Sequence, residues 1–324
     1  MNAIVYRKNG PPEKVLTFEN VDKPVPGDRE VLIKVRAAAM NPLDVGVMKG
    51  GPALTRLLFG PRKPKVPGVD AAGVVEAVGR GVTQFKAGDA VFGSARGAFA
   101  ECAVAPESKL AAKPDSVSFE DAAATPIAAL TALQGLRDKG RIGAGQSVLI
   151  IGASGGVGTF AVQLGKVFGA HVTAVCSARN AELVRSLGAE RVIDYAVEDY
   201  AKGTARYDLI FDLAGNHSFA ARQRVMTPRG ICVGAGVLDG PKSLLVMFGG
   251  LIVTLVRAKF SRQEFSTFVA KINREDLAFI GQLLASGTLK PVIDKRYTLN
   301  EVPEAVHYQG TLRARGKLVI NVCP

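Results

Sequence analysis

The sequence predicts an α/β protein whose β-rich domain is split around an inserted domain built on a doubly wound parallel sheet. Three observations carry this expectation. Short apolar or alternating runs separated by Gly- and Pro-rich turns fill the first part of the chain. From about Asp121 strands alternate with helices, and after a helix near Arg274 to Ser286 the β texture returns. Strand–helix alternation builds parallel sheets with helical crossovers. The expected boundaries are 1–122 with 287–324 for the β-rich domain and 123–286 for the inserted one.

In chain order, Ala3–Tyr6, Val31–Ala37, Gly73–Val78 and Ala90–Phe92 read as strands, divided by PVPGD, by the run KGGPALTRLLFGPRKPKVPG and by KAGD. Glycine and proline punctuate because one supplies unusual backbone angles and the other fixes φ. The Ala-rich AAATPIAALTALQGL opens the helical part, followed by VLIIGASGGVG, a helix, HVTAVC, the helix AELVRSLG, RVIDY, DLIFDLAG, another helix and GICVGAG. PVIDKRYTL and GKLVINV then close the β-rich domain.

Composition excludes several classes. The chain has 324 residues, 48% hydrophobic and 22% charged, which is globular usage and argues against disorder. Lys and Arg number 41 against 29 Asp and Glu, a net charge of +12. The basic residues are scattered, however, aromatics are only 6% and Trp is absent, so stacking platforms and basic blocks for nucleic acid are missing. The excess reads as favourable to anions, with no nucleic-acid partner expected. Cys102, Cys176, Cys232 and Cys323 show no CxxC spacing and read as reduced thiols. The first residues, MNAIVYRKNGPPEK, lack a signal-peptide apolar core, so a cytoplasmic location is expected.

The strongest local signal is Val148-Leu-Ile-Ile-Gly-Ala-Ser-Gly-Gly-Val-Gly158: a buried strand, a tight glycine turn and a helix. Val157, Phe160, Ala161, Leu164 and Phe168 are spaced to form one apolar helical face. Ala153, Gly155 and Gly158 occupy the three glycine positions of a dinucleotide-binding turn, with Ala replacing the first. The middle glycine admits a pyrophosphate to the backbone, and the third lets helix and strand pack closely. Phosphate then sits at the helix N-terminus, where unpaired N–H groups and the dipole favour negative charge. Ser154, Gly156 and Val157 are the expected pyrophosphate contacts.

The next strand decides which nucleotide. NAD binders usually place Asp or Glu about 20 residues past the loop to accept from the ribose 2′-OH. Here His171-Val-Thr-Ala-Val-Cys-Ser-Ala-Arg-Asn180 ends in Ser177 and Arg179, with no acid before Glu182. A hydroxyl and a guanidinium suit a 2′-phosphate, so NADPH is the expected cofactor. A bland alternative stands beside it, an N-cap serine and a solvated arginine.

Taken in order, several stretches make the chain resemble the medium-chain dehydrogenase/reductase superfamily, in its zinc-free quinone oxidoreductase branch. They are Asn41-Pro-Leu-Asp44, Pro67-Gly-Val-Asp-Ala-Ala-Gly-Val-Val-Glu-Ala-Val-Gly79, Phe85-Lys-Ala-Gly-Asp-Ala-Val-Phe-Gly93 and Ala129-Leu-Thr-Ala-Leu133. Ala153–Gly158, Leu187-Gly-Ala189 with Val192-Ile-Asp-Tyr195, and Gly316-Lys-Leu-Val-Ile320 complete the pattern. The pattern is similar to that of plastid-envelope quinone oxidoreductase homologues. The resemblance implies a GroES-like catalytic domain split around a Rossmann domain, and a homodimer. It also places Asn41 and Asp44 beside the nicotinamide and Thr131 near its ribose. Asn41-Pro-Leu-Asp44 is equally good turn chemistry, and the two readings are compatible.

Ser177, Arg179 and Tyr195 are expected to line a 2′-phosphate pocket, although Tyr195 also reads as a packed strand-end aromatic. Gly215 and Asn216 follow one strand and Gly234 and Ala235 another, at the carboxyl ends where open α/β sheets bind ligands. Lys317 is a further phosphate or ribose candidate. The zinc dehydrogenases of this superfamily carry Cys near the Asn41–Asp44 position and a His-Glu pair near Pro67–Asp70. This chain has neither, and no His precedes His171. A catalytic zinc needs three protein ligands, so none is expected.

No general acid stands out, since His171, His217 and His307 fall in no motif. A reduced quinone takes its proton from water, whereas a saturated carbonyl needs a placed donor, which favours activated acceptors. The expected activity is hydride transfer from NADPH to quinones or to α,β-unsaturated carbonyl double bonds. An enoyl-thioester reductase and a non-catalytic NADPH-binding regulatory protein are the alternatives. The 13-residue apolar run Leu244–Val256 is too short for a membrane-spanning helix of about 20 residues. It reads as a core helix, as a substrate or dimer surface, or as a peripheral membrane contact.

Overall fold

The computed structural model describes residues 1–49, 65–215, 217–235 and 262–322. Asn216, the run Leu244–Val256 and Cys323 lie outside the described residues. The chain forms two compact units, Met1–Leu130 with Ile272–Pro324, and Thr131–Lys271.

In the first unit, β1 (Asn2–Tyr6) pairs antiparallel with β2 (Leu16–Asn20), which the sequence reading did not single out. The main sheet has seven strands: β3 (Glu30–Met40), β4 (Asp70–Val78), β5 (Ala90–Ser94), β6 (Cys102–Pro106), β7 (Leu110–Ala112), β14 (Ile293–Thr298) and β15 (Lys317–Asn321). The early strands and the last two thus share one sheet, so a split β-rich domain is what forms. β3 is its centre, with β4 running antiparallel along one side and β6 and then β15 along successive stretches. Its sequence EVLIKVRAAAM is apolar wherever the strand is buried, and its charged residues Glu30, Lys34 and Arg36 fall at the partly or fully exposed positions. Ile4, Ile33, Met40, Met48, Phe99, Leu110, Val302 and Leu318 pack into the core of this unit.

This topology brings three distant residues together. β3 ends at Met40, just before Asn41. Its antiparallel neighbours β4 and β15 begin at the same end of the sheet, with Asp70 opposite Ala39 and Leu318 opposite Met40. The helix Pro42–Lys49 then starts with Asp44 in its first turn.

The second unit holds a six-stranded sheet in the order β10-β9-β8-β11-β12-β13, with every pair parallel. Its strands are β8 (Ser147–Ile151), β9 (His171–Cys176), β10 (Arg191–Asp194), β11 (Tyr207–Asp212), β12 (Met226–Gly234) and β13 (Glu264–Thr267). After β10 the chain crosses back to the other side of β8, so the order reverses between β8 and β11. That reversal is where open α/β sheets bind ligands. The Gln134 carboxamide bonds both backbone groups of Lys271, at 2.7 and 2.9 Å, and so fastens the chain's exit from the unit to its entry.

The helix Gly156–Val167 is buried more widely than a single apolar face would give. Every residue from Gly158 to Gly165 is buried, including Thr159 and Gln163. The sheet covers one side, and the turn Gly135–Lys139 packs on it as well. Phe168 falls just beyond the helix, as its C-cap, and is half-buried.

The units divide eight residues later and fifteen residues earlier than the sequence reading placed the boundaries, at 130/131 and 271/272. The helix Arg274–Ala285 groups with the first unit for a physical reason. It packs on β7, its Leu277, Ile280 and Leu284 are buried, and its Gly281 lies against Phe92 and Pro114. Among the described residues no helix is long and apolar enough to cross a membrane.

Candidate active site

The first unit contributes a buried polar cluster. Asn41, Asp44, Asp70 and Lys317 are each at most 4% exposed. Lys317 Nζ donates to Asn41 Oδ1 at 2.6 Å and lies 3.4 Å from Asp70 Oδ2. Asn41 Nδ2 donates to the same carboxylate at 2.9 Å, and the Ile127 N–H donates to its other oxygen at 3.1 Å. The Asp44 carboxylate accepts from the Asn41 N–H at 2.8 Å, while the Asp44 N–H donates to the Asn41 carbonyl at 3.0 Å. This reciprocal pair is the turn that Asn-Pro-Leu-Asp chemistry predicts.

Two carboxyl groups and one ammonium therefore share an interior with little water. Burial pushes the Asp44 carboxyl up to about 7, and the neighbouring Asp70 charge adds to the rise. The Asn41 and Gly68 N–H groups and the Lys317 charge oppose it. Asp70 is also raised by burial, against the pull of Lys317, Asn41 and the Ile127 N–H. Desolvation disfavours the charged form of a carboxyl group, and here it outweighs the nearby cation. Asp44 is thus a buried group that exchanges a proton near neutral pH.

Lys317, grouped with phosphate or ribose contacts on sequence, has its immediate surroundings set by the fold. It belongs to the unit of Asn41 and Asp70, and its ammonium is engaged by both. Asp70 was missed as a site residue. Its signal is an Asp opening an apolar strand, Asp70-Ala-Ala-Gly-Val-Val, where an exposed turn residue would ordinarily stand.

The second unit contributes an anion cradle. Gly152 leaves β8 with φ 83°, and the Gly152 and Ala153 N–H groups both donate to the Val175 carbonyl at the end of β9. Gly155 caps the helix in an extended conformation without any side-chain cap, so the first-turn N–H groups receive nothing from it. A Cβ on Gly158 would stand 2.2 Å from the Gly152 carbonyl oxygen, which makes glycine necessary for the turn to close. A Cβ on Gly155 would meet only that same oxygen, at 3.5 Å. Packing within the protein therefore does not demand glycine at 155, whereas close approach of a phosphate would. Ser154, Gly156 and Val157 are half-buried around this turn.

At the end of β9, Ser177 is half-buried and Arg179 exposed. The Asn180 carboxamide, absent from the sequence expectations, connects the two parts. Its Nδ2 donates to Ser154 Oγ at 2.8 Å and to Ser177 Oγ at 3.2 Å. The Ser177 side chain does not cap the turn Ala178–Asn180, so the N-cap alternative is not what forms. Tyr195 follows β10, 61% exposed, with its N–H bonded to the Cys176 carbonyl. It is not a packed strand-end aromatic.

The loop after β11 is fixed by Asp212. One carboxylate oxygen accepts from the Ala214 and Gly215 N–H groups at 3.0 and 2.8 Å, and the other pairs with Arg222 at 2.6 Å. The Ala235 N–H donates to the Asp212 carbonyl, which brings Gly215, Gly234 and Ala235 to one end of the sheet. Thr131 is half-buried on the helix Pro126–Gln134.

A β-rich unit interrupted by a parallel-sheet unit with a glycine turn defines a nucleotide-dependent dehydrogenase or reductase architecture. Comparison with known proteins narrows the class. Residues 27–115 match the alcohol dehydrogenase GroES-like domain family, and residues 187–320 match the zinc-binding dehydrogenase family. The chain is 34% identical over 335 residues to the chloroplast envelope quinone oxidoreductase homolog of Arabidopsis thaliana, covering 99% of this chain and 98% of that protein. It is 33% identical to the chloroplastic NADPH-dependent alkenal/one oxidoreductase of the same plant, covering 100% of this chain and 80% of that protein. The solved quinone oxidoreductase of Coxiella burnetii superposes with a TM-score of 0.86 at 30% identity, over 100% of this chain and 99% of that one. The chain belongs to the medium-chain dehydrogenases/reductases, and within them to the quinone oxidoreductase family.

The second family match is described by zinc, and the donors here do not suit it. Among the described residues no group of three or more His, Cys, Asp or Glu side chains could hold a metal ion. Cys102, Cys176 and Cys232 are buried apart on separate strands, and burial pushes the Cys102 and Cys232 thiols up to about 11 and about 12.

Proposed function

We propose that this protein is an NADPH-dependent reductase that delivers hydride to quinones or to the β-carbon of α,β-unsaturated carbonyl compounds. The acid-free end of β9 carries this reading: Ser177, Arg179 and the Asn180-tethered Ser154 offer donors where an NAD-selective site would offer a carboxylate. The names of the relatives, quinone oxidoreductase and NADPH-dependent alkenal/one oxidoreductase, support the same substrate classes.

NADPH supplies the hydride; the chain binds, orients and manages protons. The N–H groups of Gly156 and Val157 and the helix dipole receive the pyrophosphate beside Gly155 and Gly158. Ser177, Arg179 and Tyr195 take the 2′-phosphate side, while Thr131, Gly215, Gly234 and Ala235 line the path toward the nicotinamide ribose. Asn41 and Asp44 serve the reacting end, with Lys317 and Asp70 holding the Asn41 carboxamide in one orientation. Asp44, ionising near neutrality, is able to buffer the proton that a reduced enone must acquire and a reduced quinone takes from water.

The protein acts as a cytoplasmic homodimer in this reading. Three described cysteines are free and buried, which fits a reducing compartment. Among the described residues β13 is an edge strand of the parallel sheet, a place where a second copy could pair.

The deciding experiment is NADPH oxidation against a panel of benzoquinones, naphthoquinones, enones and alkenals, repeated with NADH. Turnover with several acceptors and a preference for NADPH is expected. Tight NADPH binding without turnover on any acceptor would overturn the enzyme reading in favour of a binding protein.

A further inference from the structure

Helix capping, the duty its position offers, does not account for the chemistry of Asn180. It stands at the N-cap of the helix Ala181–Ser186, where asparagine normally caps a backbone N–H, yet its side chain makes no cap bond. It is 4% exposed, and its Oδ1 is buried without a hydrogen-bond partner. Leaving a buried carbonyl oxygen unpaired is a cost that folding does not return, so the amide must be retained for its other end. That end, Nδ2, donates to the hydroxyls of Ser154 and Ser177, one in the glycine turn and one beyond β9.

A hydroxyl has one proton and two lone pairs. When its oxygen accepts from an amide N–H, its own proton must point elsewhere. A single carboxamide thereby sets two hydroxyls as donors directed away from it. An array of outward donors matches a phosphomonoester dianion, which only accepts, better than a ribose 2′-OH, which has a proton of its own to place. An Asp at 180 would reverse the polarity, because both hydroxyls would donate inward to the carboxylate and present lone pairs outward.

We propose that Asn180 is the positioning residue that sets preference for a 2′-phosphorylated cofactor, by orienting the Ser154 and Ser177 hydroxyls as a matched pair of donors. This rests on the NADPH reading above. It also moves Ser154 from a pyrophosphate contact to the 2′-phosphate side, since the amide ties it to Ser177.

The test compares binding of 2′,5′-ADP and 5′-AMP to the full-length chain by calorimetry, which isolates the 2′-phosphate without hydride transfer. The wild-type chain should prefer 2′,5′-ADP by tenfold or more. Asn180→Asp should lose at least tenfold of that preference with 5′-AMP affinity unchanged within threefold, and Asn180→Ala should fall between. In a Ser154→Ala/Ser177→Ala background, Asn180→Ala should change the preference no further, a readout that a merely structural role would not give. Equal weakening of both ligands by Asn180→Asp, or a preference left at the wild-type value, overturns the proposal. Should the Asn180 variants not fold, the two serine variants decide it, because a preference unchanged in both also overturns it. A wild-type chain that does not distinguish the two ligands overturns the NADPH reading itself, a result that the variants cannot mimic.

Discussion

In the second unit the anion cradle is made by neighbours in sequence, from Gly152 to Gly158, with backbone N–H groups as its working parts. In the first unit the buried cluster joins Asn41 to Asp70 and to Lys317, 29 and 276 positions away. The cradle leaves donors facing outward, ready for a ligand. The cluster spends its donors and acceptors on itself, so that Asn41 is held from both ends of its amide. A region of the first kind binds; one of the second kind fixes a geometry and a protonation state. The contrast also explains why a single substitution should act so differently in the two places.

The largest effect is expected in the cluster. Lys317→Met leaves Asp70 buried without its cation and should destabilise the fold by about 3–5 kcal/mol in urea unfolding. Adding Asp70→Asn should recover much of the loss, because removing both charges also removes the uncompensated one. If the double variant is as unstable as the single, the ion pair is not what the cluster depends on.

Asp44 should make the cluster sensitive to pH. Its folded-state value of about 7 lies above the ordinary 3.8, so the folded chain binds this proton more tightly than the unfolded chain does. Its stabilising share is therefore full below about pH 4 and is lost as pH rises toward 7, on the order of 3 kcal/mol across that window. Asp44→Asn should remove this slope. Parallel stability curves for the variant and the wild type from pH 4.5 to 7.5 would contradict it.

In the second unit, Arg179→Glu should leave stability nearly untouched, because the side chain is exposed. It should nevertheless weaken NADPH by roughly 1.5–3 kcal/mol, with a much smaller change for NADH, through the loss of a charge-assisted bond and the arrival of a like charge. Equal losses for the two cofactors would remove Arg179 from the 2′-phosphate pocket. The smallest expected effect is that of metal removal: exhaustive EDTA treatment should leave turnover unchanged and elemental analysis should find no stoichiometric zinc. One tightly held zinc per chain would refute this.

Sequence alone was sufficient for what local pattern determines. The strand–turn–helix at Val148–Gly158 was legible because glycine spacing, apolar periodicity and chain order all act within a few residues. The split β-rich unit was legible as well, since the texture changes and then reverts. Tertiary structure decided the rest. No pattern in Gly316-Lys-Leu-Val-Ile320 reveals that Lys317 is buried against Asp70, because that depends on β15 lying antiparallel to β3. Asn180 carries no sequence signal of its own, and only folding shows its amide making no helix cap and bonding two serines. The helix Arg274–Ala285 has the periodicity of either unit, and its packing on β7, with Gly281 against Phe92 and Pro114, assigns it to the first. Periodicity and turn chemistry are short-range and survive in the sequence. Burial, and the charge states that burial imposes, arise only when distant strands meet.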